Sequence, residues 1–192
     1  MAVVFADPSG SRAIDLVNTV DWRDDPERRV DLMPRATDLV AWARHEGFPA
    51  ADARACRLPD CHRRAVALRE TLALLFGATT KGRPLPPAEL AELTRWNQEA
   101  WRHRVLTSRQ AIAAWHWSAR TSGGDRTLFT VALDAAELLL SPDRRRIRVC
   151  EGAGCGWFFI DRSKAGRRRW CNMGVCGNRV KVRSYRQRVA RV

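Results

Sequence analysis

Apolar positions recur at helical spacing through most of the first 140 residues. Leu32, Leu39, Val40 and Trp42 recur at roughly helical spacing, which predicts a helix near 35–46 with Thr37 or Asp38 as candidate caps and Gly47 as the stop. The clearest stripe runs from Asp60 to Phe76. Ala65, Leu68, Leu72, Leu75 and Phe76 line it, and Gly77 is expected to end it. Lys81 to Pro87 reads as a loop. A helix from Pro87 to about Ala100 follows, with Leu90, Leu93, Trp96 and Trp101 inward, and proline suits its first turn because that N–H has no helical partner anyway. Between Val105 and Trp117 the period shortens, which predicts a hairpin around Ser108-Arg109-Gln110. Thr121 to Asp125 reads as a loop, and Thr127 to Leu140 as a helix ended by Ser141-Pro142. Arg12 to Val20 reads as a short helix or an extended piece before an acidic turn at Asp24-Asp25-Pro26. The class expected is mainly α (α+β): a helical domain over 1–140 with a small β-hairpin, and a smaller unit over 141–192. Trp22, Trp42, Trp96, Trp101, Trp115 and Trp117 are expected in the core, with an aromatic ligand pocket as the alternative.

With 192 residues and 45% apolar content, the chain can build a substantial core, which excludes wholesale disorder. No run reaches the ~18 apolar residues of a membrane span. Met1 to Asp7 lacks the basic and apolar regions of a secretion signal, so a cytoplasmic protein is expected. Charge sharpens the division of the chain. The net charge is +13, yet Ser141 to Val192 alone holds 15 basic residues against Asp143, Glu151 and Asp161. The first 140 residues are close to neutral, with 19 basic and 18 acidic side chains. Only three basic residues are lysine; the preference for arginine can follow genome composition, but its collection at one end cannot. A cationic module beside a neutral domain points to a polyanionic partner.

The same segment holds Cys150, Cys155, Cys171 and Cys176, spaced Cys-x4-Cys-x15-Cys-x4-Cys. Each close pair can turn both thiolates toward one point, and a connector of this length can bring the pairs together, which is the layout of tetrahedral Zn2+. Two disulfides fit a reducing compartment poorly, and an iron–sulfur cluster is the other four-thiolate alternative. Four thiolates close the coordination sphere, so the zinc would be structural. Such a short segment has little core of its own, and metal binding should supply much of its folding free energy. Between the pairs, Gly156 to Ile160 reads as a strand, Asp161 to Gly166 as a turn, and Arg167-Arg168-Arg169-Trp170 as the return of a hairpin. After Cys176, residues 178–192 read as a helix with Val182, Tyr185 and Val189 on an inner stripe and Arg179, Arg183 and Arg186 on another face. The unit therefore looks like a treble-clef-like zinc finger with four cysteine ligands, a hairpin followed by a basic helix.

The string Arg169-Trp-Cys-Asn-Met-Gly-Val-Cys-Gly-Asn-Arg-Val-Lys181 resembles the CGNR zinc finger, with the naming tetrapeptide at Cys176-Gly177-Asn178-Arg179. Cys155-Gly-Trp-Phe-Phe-Ile-Asp-Arg-Ser163 fits it too. The strings Asp15-Leu-Val-Asn-Thr19 and Ala135 to Pro142 are similar to the ABATE domain that precedes this finger. The resemblance spans nearly the whole chain, is specific over 150–186 and looser before 140. It implies a bacterial, stress-linked transcription regulator that binds DNA through its finger.

Arg179, Lys181, Arg183, Arg186 and Arg188 are candidates for reading base edges, and Arg167, Arg168 and Arg169 for holding phosphates. Arg179, beside the knuckle, is the best candidate for an internal anchor instead. RNA is an alternative partner. Trp157 and Trp170 either stack on bases or pack on the metal core. Asp15, Asn18 and Thr19 are candidates for an effector pocket; the structural alternative has Asn18 or Thr19 capping a helix and Asp15 paired with an arginine. Cys56 and Cys61, followed by His62, are either incidental or a redox pair. His45, His62, His103 and His116 fall into no nucleophile or metal spacing, and no catalytic motif supports an enzyme. A homodimer would suit a DNA-binding regulator.

Overall fold

The computed structural model describes residues 5, 9–55, 59–109 and 111–182. A helical bundle surrounds the long helix α4, Pro59–Thr80. Around it lie α1 (Arg12–Val17), α2 (Ala36–His45), α3 (Ala50–Ala55), α5 (Pro87–Arg102) and α6 (Gly123–Leu140). Three antiparallel two-stranded sheets complete the described fold: β1 (Val20–Asp21) with β2 (Val30–Asp31), β3 (Arg104–Arg109) with β4 (Ile112–Trp117), and β5 (Ile147–Val149) with β6 (Phe158–Ile160). The α+β class is thus observed.

The predicted α4 stripe is buried throughout: Ala65, Leu68, Leu72, Leu75 and Phe76. Gly77 does not end the helix, which runs on to Thr80. The closing turn sits at Gly82, whose φ of +60° lets Arg83 N–H donate to Ala78 O and Gly82 N–H to Thr79 O. The same pair of bonds ends α2 at Gly47, the expected stop. Helix α6 starts four residues earlier than expected, because Ser122 caps it by accepting from Asp125 N–H. Its first two residues are glycines where α3 approaches: a Cβ at Gly123 would sit 2.6 Å from the Asp52 Cα. On α5, Leu93 and Trp96 are buried, whereas Leu90 and Trp101 are 42% and 50% exposed, contrary to expectation. Trp101 instead packs edge-on against Trp115 of the exposed β4, with ring centroids 5.2 Å apart. Of the six tryptophans expected in the core, Trp42 and Trp96 are buried, Trp101 and Trp115 exposed, and Trp22 and Trp117 half-buried.

One buried charge network ties the β1–β2 ribbon to α4. The Arg69 side chain, 2% exposed, makes two bonds to Asp31 at 2.8 and 2.7 Å and one to Glu70 at 2.9 Å. Burial alone would raise the Asp31 pKa, but the Arg69 bonds outweigh it and hold the carboxyl below its usual range.

Packing is continuous from the bundle into the C-terminal unit. Ile147, Phe158 and Ile160 belong to the same apolar core as α4, and Phe158 meets Phe76 with centroids 6.0 Å apart. No helix among the described residues is long and apolar enough to cross a membrane.

Candidate metal centre and basic surface

The first cysteine pair lies in the turn between β5 and β6, and the second opens the C-terminal helix. This pairing corrects one expectation. Strand β6 pairs with β5, which precedes Cys150, and not with the returning 167–170 segment. That segment is joined to the knuckle by one backbone bond, Glu151 N–H to Arg169 O at 2.9 Å. Its path is set by Asp161, whose carboxylate accepts from Ser163 N–H, Ser163 O–H and Arg168 N–H. Those bonds hold the Asp161 carboxyl below its usual pKa. The second knuckle is a five-residue π-turn, Met173–Gly177, capped by the Asn172 side chain, which accepts from Val175 N–H at 3.1 Å. A helix follows over 178–182.

The four Sγ atoms lie within 4.8 Å of one another. Cys155–Cys171, Cys171–Cys176 and Cys176–Cys155 are separated by 3.8, 3.7 and 3.7 Å. A tetrahedron with Zn–S bonds of ~2.3 Å has edges of about 3.8 Å, whereas a disulfide needs ~2.05 Å. The distances fit one tetrahedral zinc and no disulfide. Without a cation the thiols conflict. Hydrogen bonds from Cys155 and Cys171 pull Cys150 down, and its thiolate in turn pushes Cys155 and Cys171 up; burial does the same to Cys176. A divalent cation lets all four ionise together. The four cysteines are therefore the ligands of one structural zinc, with no coordination position left over. Phe159, Trp157 and Trp170 pack around them.

The finger is docked on the bundle by Asn18, Trp157, Trp22 and Arg179, the last of which is the internal-anchor candidate of the sequence. Asn18 is, by sequence, a candidate for an effector pocket. Its side-chain amide instead donates to Phe158 O and accepts from Phe158 N–H, both at 2.9 Å, as a neighbouring strand would. Trp157 Nε1–H donates to Val20 O at 3.1 Å. Trp22, in a backbone conformation with φ of +54°, is flanked by the guanidinium groups of Arg28 and Arg179, 3.4 and 4.9 Å from its ring centroid. Arg179 thus spans from the finger to the bundle. Thr19 donates back to Leu16 O at 2.7 Å and accepts from Arg69. Asp15 forms no ion pair with an arginine among the described residues. It accepts from Ser9 N–H at 3.0 Å and shares a hydrogen bond with Glu46. Burial comes first for both: aided by the nearby Asp134 carboxylate it pushes Asp15 up to about 6, and aided by the Asp15 carboxylate it pushes Glu46 up to about 8. The space bounded by Asp15, Asn18, Thr19, Trp42 and Glu46 is about 10 Å³, room for roughly one water.

The cationic candidates divide in two. Arg168 and Arg169 have internal partners: Arg168 donates to Trp170 O at 2.8 Å and to Cys171 O and lies over Phe159, while Arg169 pairs with Glu151 at 2.6 Å. Arg167 and Lys181 are exposed and form no ion pair among the described residues, and neither does Lys164 on the same loop. Arg183, Arg186 and Arg188, with Tyr185 and Val189, lie outside the described residues, as does Cys56. Cys61 is buried, and His62 bonds Met33 O at 2.8 Å.

Two family models match the chain. The CGNR zinc finger covers residues 146–189, and the ABATE domain, described as "Putative stress-induced transcription regulator", covers 10–142. Comparison with curated proteins finds no match.

Proposed function

Because this chain belongs to the ABATE family, with a CGNR zinc finger at its C-terminal end, we propose that it is a DNA-binding transcription regulator. In this reading the zinc-ordered finger contacts DNA, and the helical domain senses a ligand or mediates dimerisation. The observation that carries it is the gathering of exposed cations on the finger. Arg162, Lys164, Arg167, Arg168 and Arg169 are all exposed on one loop, and Lys181 is exposed on the following helix. Arg167, Lys164 and Lys181 have no carboxylate to neutralise them among the described residues, which suits contact with phosphates. Arg168 and Arg169 are oriented by their internal bonds while remaining accessible. By sequence, Arg183, Arg186 and Arg188 extend the same basic helix and are the candidates for reading base edges.

The test is zinc content per chain together with duplex titration across a salt series. One zinc per chain is expected, with binding that weakens steeply as salt rises. Replacing Arg167 and Lys181 with alanine should weaken binding to every duplex and flatten the salt slope by ~0.9 for each phosphate no longer neutralised. Binding indifferent to salt and to both substitutions would overturn the reading. Preference for structured RNA over duplex in competition would replace DNA by RNA as the partner.

A further inference from the structure

A groove of about 720 Å³ lies at the seam between the bundle and the finger, within the roughly 300–1,000 Å³ typical of small-molecule sites. Its lining comes from α4, the loop that follows α4, the Arg23–Asp24 turn and the finger. The apolar part includes Leu74, which is 54% exposed, and Phe158 from the shared core. Gly77 lines it as well. Glycine disfavours a helix interior, yet it occupies one here, and a Cβ added at Gly77 would meet nothing within 4 Å. The gap in the helix face is part of the groove.

The polar part is cationic. Lys81, Arg83 and Arg148 line it and form no ion pair with any described residue; the Arg148 guanidinium donates to the backbone carbonyls of Arg145 and Ile147. Of the two carboxylates in the lining, Glu70 is held by Arg23 at 2.6 Å. The other, Asp24, lies against the knuckle: a Cβ at Gly156 would sit 3.1 Å from its Oδ2.

We propose that this groove binds a small organic anion. Its apolar body lies over Leu74 and Phe158 in the space left at Gly77, and its negative head meets Lys81, Arg83 and Arg148. Both regions of the chain supply the lining, so a bound anion favours the docked arrangement of the finger over any other. Only the step from occupancy to DNA affinity rests on the reading of the finger as a DNA-contacting module. The binding itself does not.

The test titrates the full, zinc-loaded chain, in the absence of DNA, with 1-anilinonaphthalene-8-sulfonate and with the uncharged N-phenyl-1-naphthylamine. Lys81→Ala/Arg83→Ala is expected to weaken the sulfonate by at least about tenfold and leave the neutral probe within about twofold. Gly77→Leu removes a helix-disfavouring residue and should keep helix content and zinc while weakening both probes by at least about tenfold. Trp101→Ala, at the exposed aromatic pair, should change neither. Probe binding indifferent to Gly77→Leu, in a variant shown to keep its helix and zinc, would overturn the proposal. So would loss on Trp101→Ala, which would place the probe at the aromatic pair. So would a Lys81→Ala/Arg83→Ala variant that keeps its sulfonate affinity but is weakened in a separate duplex titration, since those cations would then belong to the nucleic-acid surface. A chain that bound no DNA would leave the groove result standing.

Discussion

The bundle and the finger reach order by different routes. The bundle buries a continuous apolar core from five helices with Met33 and Phe48, closed by the one nearly inaccessible arginine among the described residues, Arg69. The finger's own apolar cluster is Phe159 with the half-buried Trp157 and Trp170, gathered on four cysteines. Three more of its apolar residues, Ile147, Phe158 and Ile160, belong to the bundle's core. The finger carries most of the net charge and the least core, so it depends on the metal on one side and on the bundle on the other. Charge of this density needs a scaffold that is not built from charge, and here zinc and a borrowed core provide it.

Removing zinc should separate the two regions most sharply. Structural zinc in isolated fingers is worth an apparent ~10–16 kcal/mol, so chelation or Cys171→Ser should disorder the finger outright. Near-UV circular dichroism should lose the Trp157 and Trp170 contribution, while far-UV signal from the bundle largely persists. Collapse of both signals together would show that the bundle cannot stand without the finger. Arg69→Met should act in the opposite direction. It leaves Asp31 and Glu70 without their buried cation and should cost about 3–5 kcal/mol in denaturant unfolding, with zinc stoichiometry unchanged in the folded protein.

Asn18→Ala targets the joint itself. Both bonds to the Phe158 backbone disappear and a part-buried N–H is left without a partner, so a stability loss of about 2–3 kcal/mol is expected. Hydrogen exchange should report faster opening of β5–β6 than of α4.

The smallest effect sharpens the comparison through pH. Glu46 and Asp15 have folded pKa values raised to about 8 and about 6, above those of the unfolded chain. The native state therefore binds more protons between pH ~4.5 and 8, and stability should fall as pH rises through that window. Glu46→Gln should flatten the fall and stabilise the protein at pH 8 by on the order of 2 kcal/mol, measured as the unfolding midpoint against pH. An unchanged pH profile would show that the pair does not govern the bundle.

Helix positions were largely legible in the sequence because the stripe on α4 and the face of α2 follow from local spacing alone. Helix ends were legible only in part. Gly47 and Gly77 each follow an apolar stripe, and nothing in the string distinguishes them. Gly47 adopts a positive φ and closes its helix, while Gly77 lies inside α4 and opens onto the seam. Leu90 and Trp101 fit the α5 stripe equally well, but the bundle's packing ends before it reaches them. The zinc ligands were fully legible, because thiol chemistry and short spacing are local properties. Asn18 stands out in the string but not with its true partner, since its bonds reach 140 residues along the chain. Arg69 does not stand out at all. An arginine on an apolar helix face carries no sign that Asp31 waits opposite it.

What the sequence determined by itself was therefore whatever depends on neighbours along the chain: the helical periods, the four thiolates and their metal, and the concentration of positive charge at one end. What only the tertiary structure decided depends on segments brought together from far apart. It paired β6 with β5 before the knuckle, spent Asn18 and Arg179 on docking, buried Arg69 between two carboxylates, and left a cation-lined groove at the seam. The physical reason is the range of the interactions. Helical periodicity and metal-ligand spacing act over a few residues, whereas burial and the satisfaction of buried polar groups are settled only when the whole chain has closed.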